Sequence, residues 1–370
     1  MASIKSRIVL TGGPCAGKTT ALKRIDESLT ELGYKVIIVP EAATIAINSG
    51  IRCFGEKPLN LYEFQNFMLK FQYQNERLIE DTVKHYPEHT KCVLVYDRGI
   101  MDNSAYIDQE SFEKLLIENN LKKVELLYHY DMVLHLVTAA DGAQDFYTLA
   151  NNAARSEGIE EAIALDKRTL NAWINHSNLH IIDNSTCFDD KMNRVVNSIL
   201  EQLDNPVRLR QERKYLVDIS CLSKSFFDSL TPIEITQTYL GDDEYERRLR
   251  TRTISGYTTY SFLVQKQDLK GTSHVYTEKH ISEKEYNDLL NLFEVKKSIS
   301  KLRYAFVSEK EKYKLDIFED GTCILETNFN SKLVLPAGIR IISDVTDNKE
   351  LYNYNLAKKT GVKVLTPVNK

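Results

Sequence analysis

The sequence predicts an α/β domain with a parallel sheet over residues 1–204, followed over 205–370 by an α+β domain with an antiparallel, barrel-like sheet. The chain has 370 residues, which is too long for one ordinary hydrophobic core. Its first part alternates short apolar runs with helical patterns, an order typical of parallel sheets. Its second part alternates charged and apolar residues, as antiparallel strands do. Pro206 follows the last helical pattern of the first part and marks the boundary.

The composition is that of a soluble globular protein, with 42% hydrophobic and 27% charged residues. A net charge of −4 gives no global reason to bind nucleic acid. We find no signal peptide and no apolar run near the ~20 residues of a membrane span. The six cysteines lack zinc-site spacing, so reduced thiols are expected. We therefore expect a cytoplasmic protein without a transmembrane segment, with peripheral membrane attachment as an open alternative.

A glycine-rich stretch after the first apolar strand gives the sharpest functional prediction. Its spacing is Gly-x-x-x-x-Gly-Lys-Thr, the phosphate-binding P-loop pattern, and helix-forming residues follow it. The predicted nucleotide-binding residues are Gly12, Gly13, Pro14, Cys15, Ala16, Gly17, Lys18, Thr19 and Thr20. Backbone N–H groups and the helix dipole attract phosphate, Lys18 bridges the β- and γ-phosphates, and Thr19 ligates Mg²⁺. The sequence therefore predicts binding of a nucleoside triphosphate with Mg²⁺.

Two further apolar strands end in charged residues, where ligands bind in α/β sheets. Glu41 follows the second strand and is a candidate for holding or deprotonating an acceptor hydroxyl, or for simply starting the next helix. The third strand ends in Asp97, a candidate Mg²⁺ ligand, and in Arg98, a candidate phosphate contact. Asp102 follows on the same loop and either acts in the site or caps the next helix.

Other candidates in the first part have weaker signals. His135 lies within the fourth apolar run and is interpreted as a core histidine. Arg155 lies where small-molecule P-loop kinases have a lid, and arginine there stabilises charge during phosphoryl transfer. Asn184 and Ser185 follow the fifth strand, where a loop contacting adenine or guanine would lie.

The segments GGPCAGKTT, VPEAAT, YDRGIMD and NNAARSEG, the last with LDKR at residues 165–168, resemble AAA-type P-loop domains related to nicotinamide-riboside and deoxynucleoside kinases, over residues 5–203. This resemblance implies transfer of a γ-phosphoryl group from ATP or GTP to a small, nucleoside-like acceptor. The base is left open, because the sequence has no Asn-Lys-x-Asp guanine motif and related domains select their base by other means.

The second part places basic residues at alternating positions, which puts them on one face of a strand. The candidate anion-binding residues are Lys214, Arg248, Arg250, Arg252, Lys266, Lys301 and Arg303. Interspersed carboxylates could hold a divalent metal, with Glu212, Asp316 and Glu326 as the candidates. The alternative is the ordinary exposed face of an antiparallel sheet.

These strands resemble the CYTH, or triphosphate-tunnel, superfamily over about residues 207–358, with Glu278 to Ile281 as the turn before its central helix. Arg210 and Asn328 stand where that family has glutamates, which favours binding of a phosphorylated ligand over triphosphate hydrolysis. The order of the two domains resembles the TRPL translocation-defect protein family, which implies GTP and phosphoinositide binding in membrane trafficking.

Three functions therefore remain open from the sequence. The first is a kinase acting on a small acceptor. The second is a nucleotide-dependent regulator whose second domain reads a phospholipid headgroup. The third is a tunnel-type triphosphatase.

Overall fold

The computed structural model describes residues 2–144, 158–204, 212–241, 246–267, 273–328 and 333–357. Contacts between residues divide the chain into two compact units, Met1–Pro206 and Val207–Lys370. No helix within the described ranges is both long and apolar enough to cross a bilayer.

The first unit is an α/β domain with a five-stranded parallel sheet in the order β2-β3-β1-β4-β5. The strands are β1 (Ser3–Thr11), β2 (Lys35–Val39), β3 (Lys91–Asp97), β4 (Met132–Leu136) and β5 (Leu179–Ile182). The helices are α1 (Lys18–Glu31), α2 (Ala42–Asn48), α3 (Leu61–Val83), α4 (Gln109–Glu118), α5 (Lys123–Tyr128), α6 (Ile159–Ala172) and α7 (Phe188–Asp204), with a 3₁₀ helix at Ile100–Ala105.

The apolar runs of the central strands explain this sheet. Ile8, Val9 and Leu10 of β1 are fully buried, because β1 lies between β3 and β4. Helices α1 and α7 pack their apolar stripes against the sheet in one hydrophobic core. The chain continues from β1 to strands on one side of it, β2 and β3, and then to strands on the other side, β4 and β5. A ligand crevice is expected beyond the carboxyl end of β1, where the strand order reverses.

The second unit is built on a nine-stranded antiparallel sheet in the order β10-β9-β8-β7-β11-β12-β13-β6-β14. Its strands are β6 (Glu212–Asp218), β7 (Ile233–Gly241), β8 (Glu246–Ile254), β9 (Tyr257–Gln267), β10 (Ser273–Ile281), β11 (Val295–Ser308), β12 (Glu311–Phe318), β13 (Cys323–Asn328) and β14 (Arg340–Asp344). The helices are α8 (Lys224–Asp228), α9 (Glu283–Leu292) and α10 (Asn353–Leu356), with a 3₁₀ helix at Lys349–Leu351.

The segment before α9 differs from its prediction. Ser282 caps α9 and forms a reciprocal capping box with Glu285. The segment from Glu278 to Ile281 was predicted as a turn, but it belongs to β10. The turn prediction is wrong because these residues continue a ladder with β9, in which Ile281 pairs with Tyr260.

The strand register places most of the predicted basic residues on one face of the sheet. Lys301 stands opposite Ile235, which stands opposite Arg252, and directly opposed residues share a face. Lys214 stands opposite Glu326. Alternation along each strand adds Arg248, Arg250 and Arg303 to the same face. We call this set of six, with the carboxylates among them, the charged face.

The strand register does not group Lys266 with the other predicted anion-binding residues. Within β9, Leu263 and Ser261 stand opposite Arg248 and Arg250. Position 266 is an odd number of residues away from Ser261 and from Leu263 along β9, and it pairs with His274. Strand alternation therefore assigns position 266 to the other side of the sheet.

Candidate functional site

The P-loop connects the end of β1, the central strand of the sheet, to the start of α1. Gly12 has φ 142° and Gly17, the N-cap of α1, has φ 92°, conformations that favour glycine. A Cβ atom at Gly12 would also lie 2.1 Å from the Leu136 carbonyl oxygen. The sequence pattern therefore corresponds to a tight loop whose backbone only glycine can follow at these points.

Lys18 is half-buried and folds back over the loop. Its Nζ donates to the carbonyl oxygens of Gly12, at 3.2 Å, and Gly13, at 3.3 Å. Burial, together with the Arg98 charge, lowers the pKa of Lys18 to about 8, although the Glu41 and Asp97 carboxylates partly offset this. Thr19 and Thr20 are exposed at the first turn of α1, where a ligand can reach their hydroxyl groups.

Glu41 follows β2 and forms a tight ion pair. Its Oε1 lies 2.6 Å from Arg98 Nε, and its Oε2 accepts a 2.6 Å hydrogen bond from Thr44 Oγ1. Burial alone would raise the pKa of Glu41, but the Arg98 and Lys18 charges lower it to about 2. Glu41 is the N-cap residue of α2 by position, yet its side chain makes no capping bond. Its carboxylate is ionised at neutral pH and remains 29% exposed at the edge of the sheet.

Asp97 and Arg98 end β3, next to the P-loop strand. Asp97 Oδ1 and Arg98 Nη1 are buried, and neither makes a hydrogen bond within the described part of the chain. Burial raises the pKa of Asp97, although Lys18 lowers it in part. Arg98 has φ 70°, and its backbone N–H donates to Leu10 O at 3.1 Å. The two charged groups therefore keep bonding capacity that a cation and a phosphate would satisfy.

Asp102 does not cap the following helix α4, whose N-cap is Asp108; it lies within the 3₁₀ helix Ile100–Ala105. Its Oδ2 accepts from the Gly99 backbone N–H at 2.8 Å, which caps the 3₁₀ helix Ile100–Ala105. Its Oδ1 accepts from Thr11 Oγ1 and, at 3.3 Å, from Trp173 Nε1. Because both oxygens are bonded within the protein core, Asp102 is a structural residue of this loop.

On the charged face of the second unit, the carboxylates are paired with the basic residues. Asp316 accepts from Lys301 Nζ and from Arg303 Nε, the latter at 2.5 Å. Glu326 pairs with Arg303 Nη2 at 2.7 Å and with Lys214 Nζ at 3.3 Å. Burial would raise the pKa of Glu326, but these cations hold it well below its usual range.

The carboxylates of this face do not form the predicted metal site. Glu212 Oε1 lies 2.6 Å from Lys314 Nζ, and Asp316 and Glu326 are in the ion pairs above. Among the residues that the structure describes, no group of three or more His, Cys, Asp or Glu side chains could hold a metal ion. A divalent cation would have to displace lysine or arginine, so this donor set does not fit one.

A protein-family model described as an AAA domain matches residues 7–191. The match covers half of the 370 residues. The chain belongs to the AAA domain family. Its first unit is thus an AAA-type P-loop domain for nucleotide binding, with the Lys18, Glu41, Asp97 and Arg98 side chains at its carboxyl edge.

Comparison with solved structures gives distant similarities. Two structures of NE1496, one described as an inorganic triphosphatase, share 23% identity, cover 40% of this chain and 95% of that chain, and have a TM-score of 0.29. The PH1819 protein from Pyrococcus horikoshii OT3 shares 18% identity over 33% of this chain and 78% of its own, with a TM-score of 0.24. These scores are too low to support a shared activity. No curated protein matches the chain.

The structure describes Asn184 but not Arg155, two further residues predicted for the AAA domain. Asn184 uses its side chain to fasten a neighbouring loop: Nδ2 donates to Thr138 O at 2.8 Å and Asp141 O at 2.7 Å, and Oδ1 accepts from Lys191. Its side-chain amide is therefore used within the fold. Arg155 lies outside the described residues.

Sequence reasoning missed two buried residues that contact the P-loop. Asp166 of α6 accepts from the Gly13 N–H at 2.6 Å. Lys191 of α7 donates to Ala16 O at 3.1 Å and Val137 O at 2.8 Å. Asp166 lies within the LDKR segment that resembles AAA-type P-loop domains, but neither it nor Lys191 follows a strand end, so no sequence signal indicated a contact with the P-loop.

Proposed function

We propose that the AAA domain binds a magnesium–nucleoside triphosphate and transfers its γ-phosphoryl group to a hydroxyl of a small, nucleoside-like acceptor. One observation carries this proposal. Lys18, Glu41, Asp97 and Arg98 follow three neighbouring strands, β1, β2 and β3, and their charges act on one another at one edge of the sheet. Cations, a metal-binding carboxylate and a second carboxylate are the parts that phosphoryl transfer requires.

The residues of this edge fit a bound nucleotide and metal. Thr19 and Asp97 would hold Mg²⁺, since the hydroxyl is exposed and Asp97 Oδ1 is unbonded. The metal would neutralise phosphate charge. Lys18 and Arg98 add positive charge where negative charge develops on the transferring group.

Glu41 is assigned to the acceptor. A carboxylate with a pKa of about 2 is a weak base at neutral pH, so its main role is to accept a hydrogen bond from the acceptor hydroxyl and orient it. A loose phosphoryl-transfer transition state asks little of a base, because bond formation to the nucleophile is limited.

Glu41→Gln tests this assignment. We expect acceptor-dependent turnover of ATP or GTP to fall about 100-fold, while nucleotide affinity stays within about threefold. The assay is product formation with a panel of nucleosides and nicotinamide riboside, and Glu63→Gln on the exposed face of α3 is the control. Equal turnover in Glu41→Gln and the parent would contradict the role. Slow turnover that no acceptor accelerates would favour a nucleotide-dependent regulator.

We propose further that the charged face of the second unit binds a phosphorylated ligand, either a polyphosphate or a phosphoinositide headgroup. The support is the register, which brings Arg248, Arg250 and Arg252 to the face that carries Lys301 and Arg303. Guanidinium groups on one face can bind several phosphate oxygens at once. Because the carboxylates there are paired with cations, binding should need no metal and should not lead to hydrolysis.

Tripolyphosphate and phosphoinositide vesicles distinguish these ligands in the full chain with Lys18→Ala. Adding Arg248→Ala and Arg250→Ala should weaken binding of these ligands at least about tenfold. Salt should weaken ligand binding by the parent protein, because it screens the charges. Arg247→Ala is the matched control, since Arg247 has the opposite parity and lies over the Phe293 ring. Equal binding by the double variant, or release of phosphate with Mg²⁺ or Mn²⁺, would contradict the proposal.

A further inference from the structure

A buried carboxylate contacts the phosphate-binding loop from a helix far along the chain. Asp166 of α6 is 5% exposed. Its Oδ1 accepts two backbone hydrogen bonds, from Gly13 N at 2.6 Å and from Thr138 N at 3.2 Å. One oxygen atom thus ties the first turn of the P-loop to the segment that follows β4.

The contact explains why residue 13 is glycine. A Cβ atom there would lie 2.8 Å from Asp166 Oδ1 and 2.9 Å from Asp166 Cβ, closer than real Cβ contacts. The next residue is held as well, because Thr138 Oγ1 donates to Pro14 O. Gly13 is therefore required by the approach of a carboxylate and not by a left-handed backbone.

A negative charge beside a phosphate-binding loop is unfavourable unless a cation or dipole balances it. His135, which is fully buried, lies with Nε2 3.3 Å from Asp166 Oδ2. Its Nδ1 makes no hydrogen bond within the described residues, so the ring's polar contact is with Asp166. Burial would raise the pKa of Asp166, but His135 and the two backbone N–H groups lower it below its usual value.

We propose that Asp166 is a positioning residue for nucleotide binding, which holds the Gly13–Pro14 turn of the P-loop in its folded conformation while its second oxygen contacts His135. A loop held in advance loses less conformational freedom when phosphate binds. The proposal deepens the function proposed above, but it rests only on nucleotide binding by the P-loop and not on phosphoryl transfer.

The test compares two substitutions of Asp166 with one neighbour on the same helix. Asp166→Ala removes both backbone hydrogen bonds, and Asp166→Asn keeps a neutral acceptor, which is about half as strong as a charged one. Thr169→Ala is the matched control: Thr169 is fully buried one turn further on, and its hydroxyl bonds to Leu165 O in its own helix. All are made in the full chain carrying Arg248→Ala and Arg250→Ala, so that the charged face does not bind nucleotide, and are titrated by calorimetry with Mg-ATP and Mg-GTP, without acceptor.

We expect affinity to fall about 30-fold in Asp166→Ala and about threefold in Asp166→Asn, and to stay at the parent value in Thr169→Ala. Thermal unfolding identifies general destabilisation, which should affect Asp166→Ala and Thr169→Ala alike. Parent affinity in Asp166→Ala, or equal losses in Asp166→Ala and Thr169→Ala, would overturn the proposal. If Asp166→Ala does not fold, parent affinity in Asp166→Asn would overturn it.

Because no acceptor is present, this result is independent of phosphoryl transfer. A chain that shows the expected affinities but no acceptor-dependent turnover would retain the role of Asp166 and lose the kinase function.

Discussion

At the scale of single residues, Glu76 is expected to make the stability of the AAA domain depend on pH. It is 1% exposed on α3, and its carboxyl accepts from Tyr130 Oη at 2.7 Å and from Gln72 Nε2 at 3.0 Å. Burial raises the pKa of Glu76 from 4.5 to about 8, although these two hydrogen bonds lower it in part. Between those values the folded state keeps a proton that the unfolded state loses. Stability should therefore fall as pH rises through this window.

Glu76→Gln tests this pH dependence of stability, because glutamine resembles the protonated acid. We expect the free energy of unfolding of the parent to fall from pH 5 to pH 8, and that of Glu76→Gln to fall less. Glu63→Gln, on the exposed face of the same helix, should keep the parent slope. Urea unfolding at several pH values measures this, and identical slopes for Glu76→Gln and the parent would contradict it.

The sequence predicted those site residues that have a fixed position relative to a strand end. Lys18 follows β1 at the P-loop spacing, and Asp97 closes β3, so both could be assigned before the structure was known. Asp166 and Lys191 could not, because they reach the P-loop across 153 and 175 residues. Asn184 lay at a strand end and was assigned to base contact, yet its amide is used within the fold.

At the scale of elements, apolar runs predicted all five parallel strands, because strands buried on both faces show continuous hydrophobic sequence. The antiparallel strands were harder. β14 is exposed along its length, and β10 has the largely polar sequence SHVYTEKHI, so neither has a clear pattern. A difference of one position along a strand decides which side of the sheet a residue belongs to, and for this reason strand alternation assigns position 266 to the other side.

At the scale of the whole molecule, the chain combines an AAA domain with a second unit that has a charged face. Contacts divide it after Pro206, two residues beyond the predicted end of the first domain at residue 204. Proline was a usable signal because it ends a helical pattern, and the antiparallel alternation begins soon after it. Both units have candidate sites for phosphate. A binding measurement on one unit therefore needs substitutions that remove binding by the other.

We propose that the P-loop edge of the AAA domain binds a magnesium–nucleoside triphosphate through Lys18. The direct measurement is calorimetric titration of ATP and GTP into the full chain carrying Arg248→Ala and Arg250→Ala, with and without Lys18→Ala. We predict one nucleotide per chain, weaker binding when EDTA removes Mg²⁺, and a further loss of roughly 10- to 100-fold in Lys18→Ala. Lys23→Ala, whose side chain is 79% exposed on α1, should bind like the parent. Equal nucleotide affinity with and without Lys18 would contradict the account.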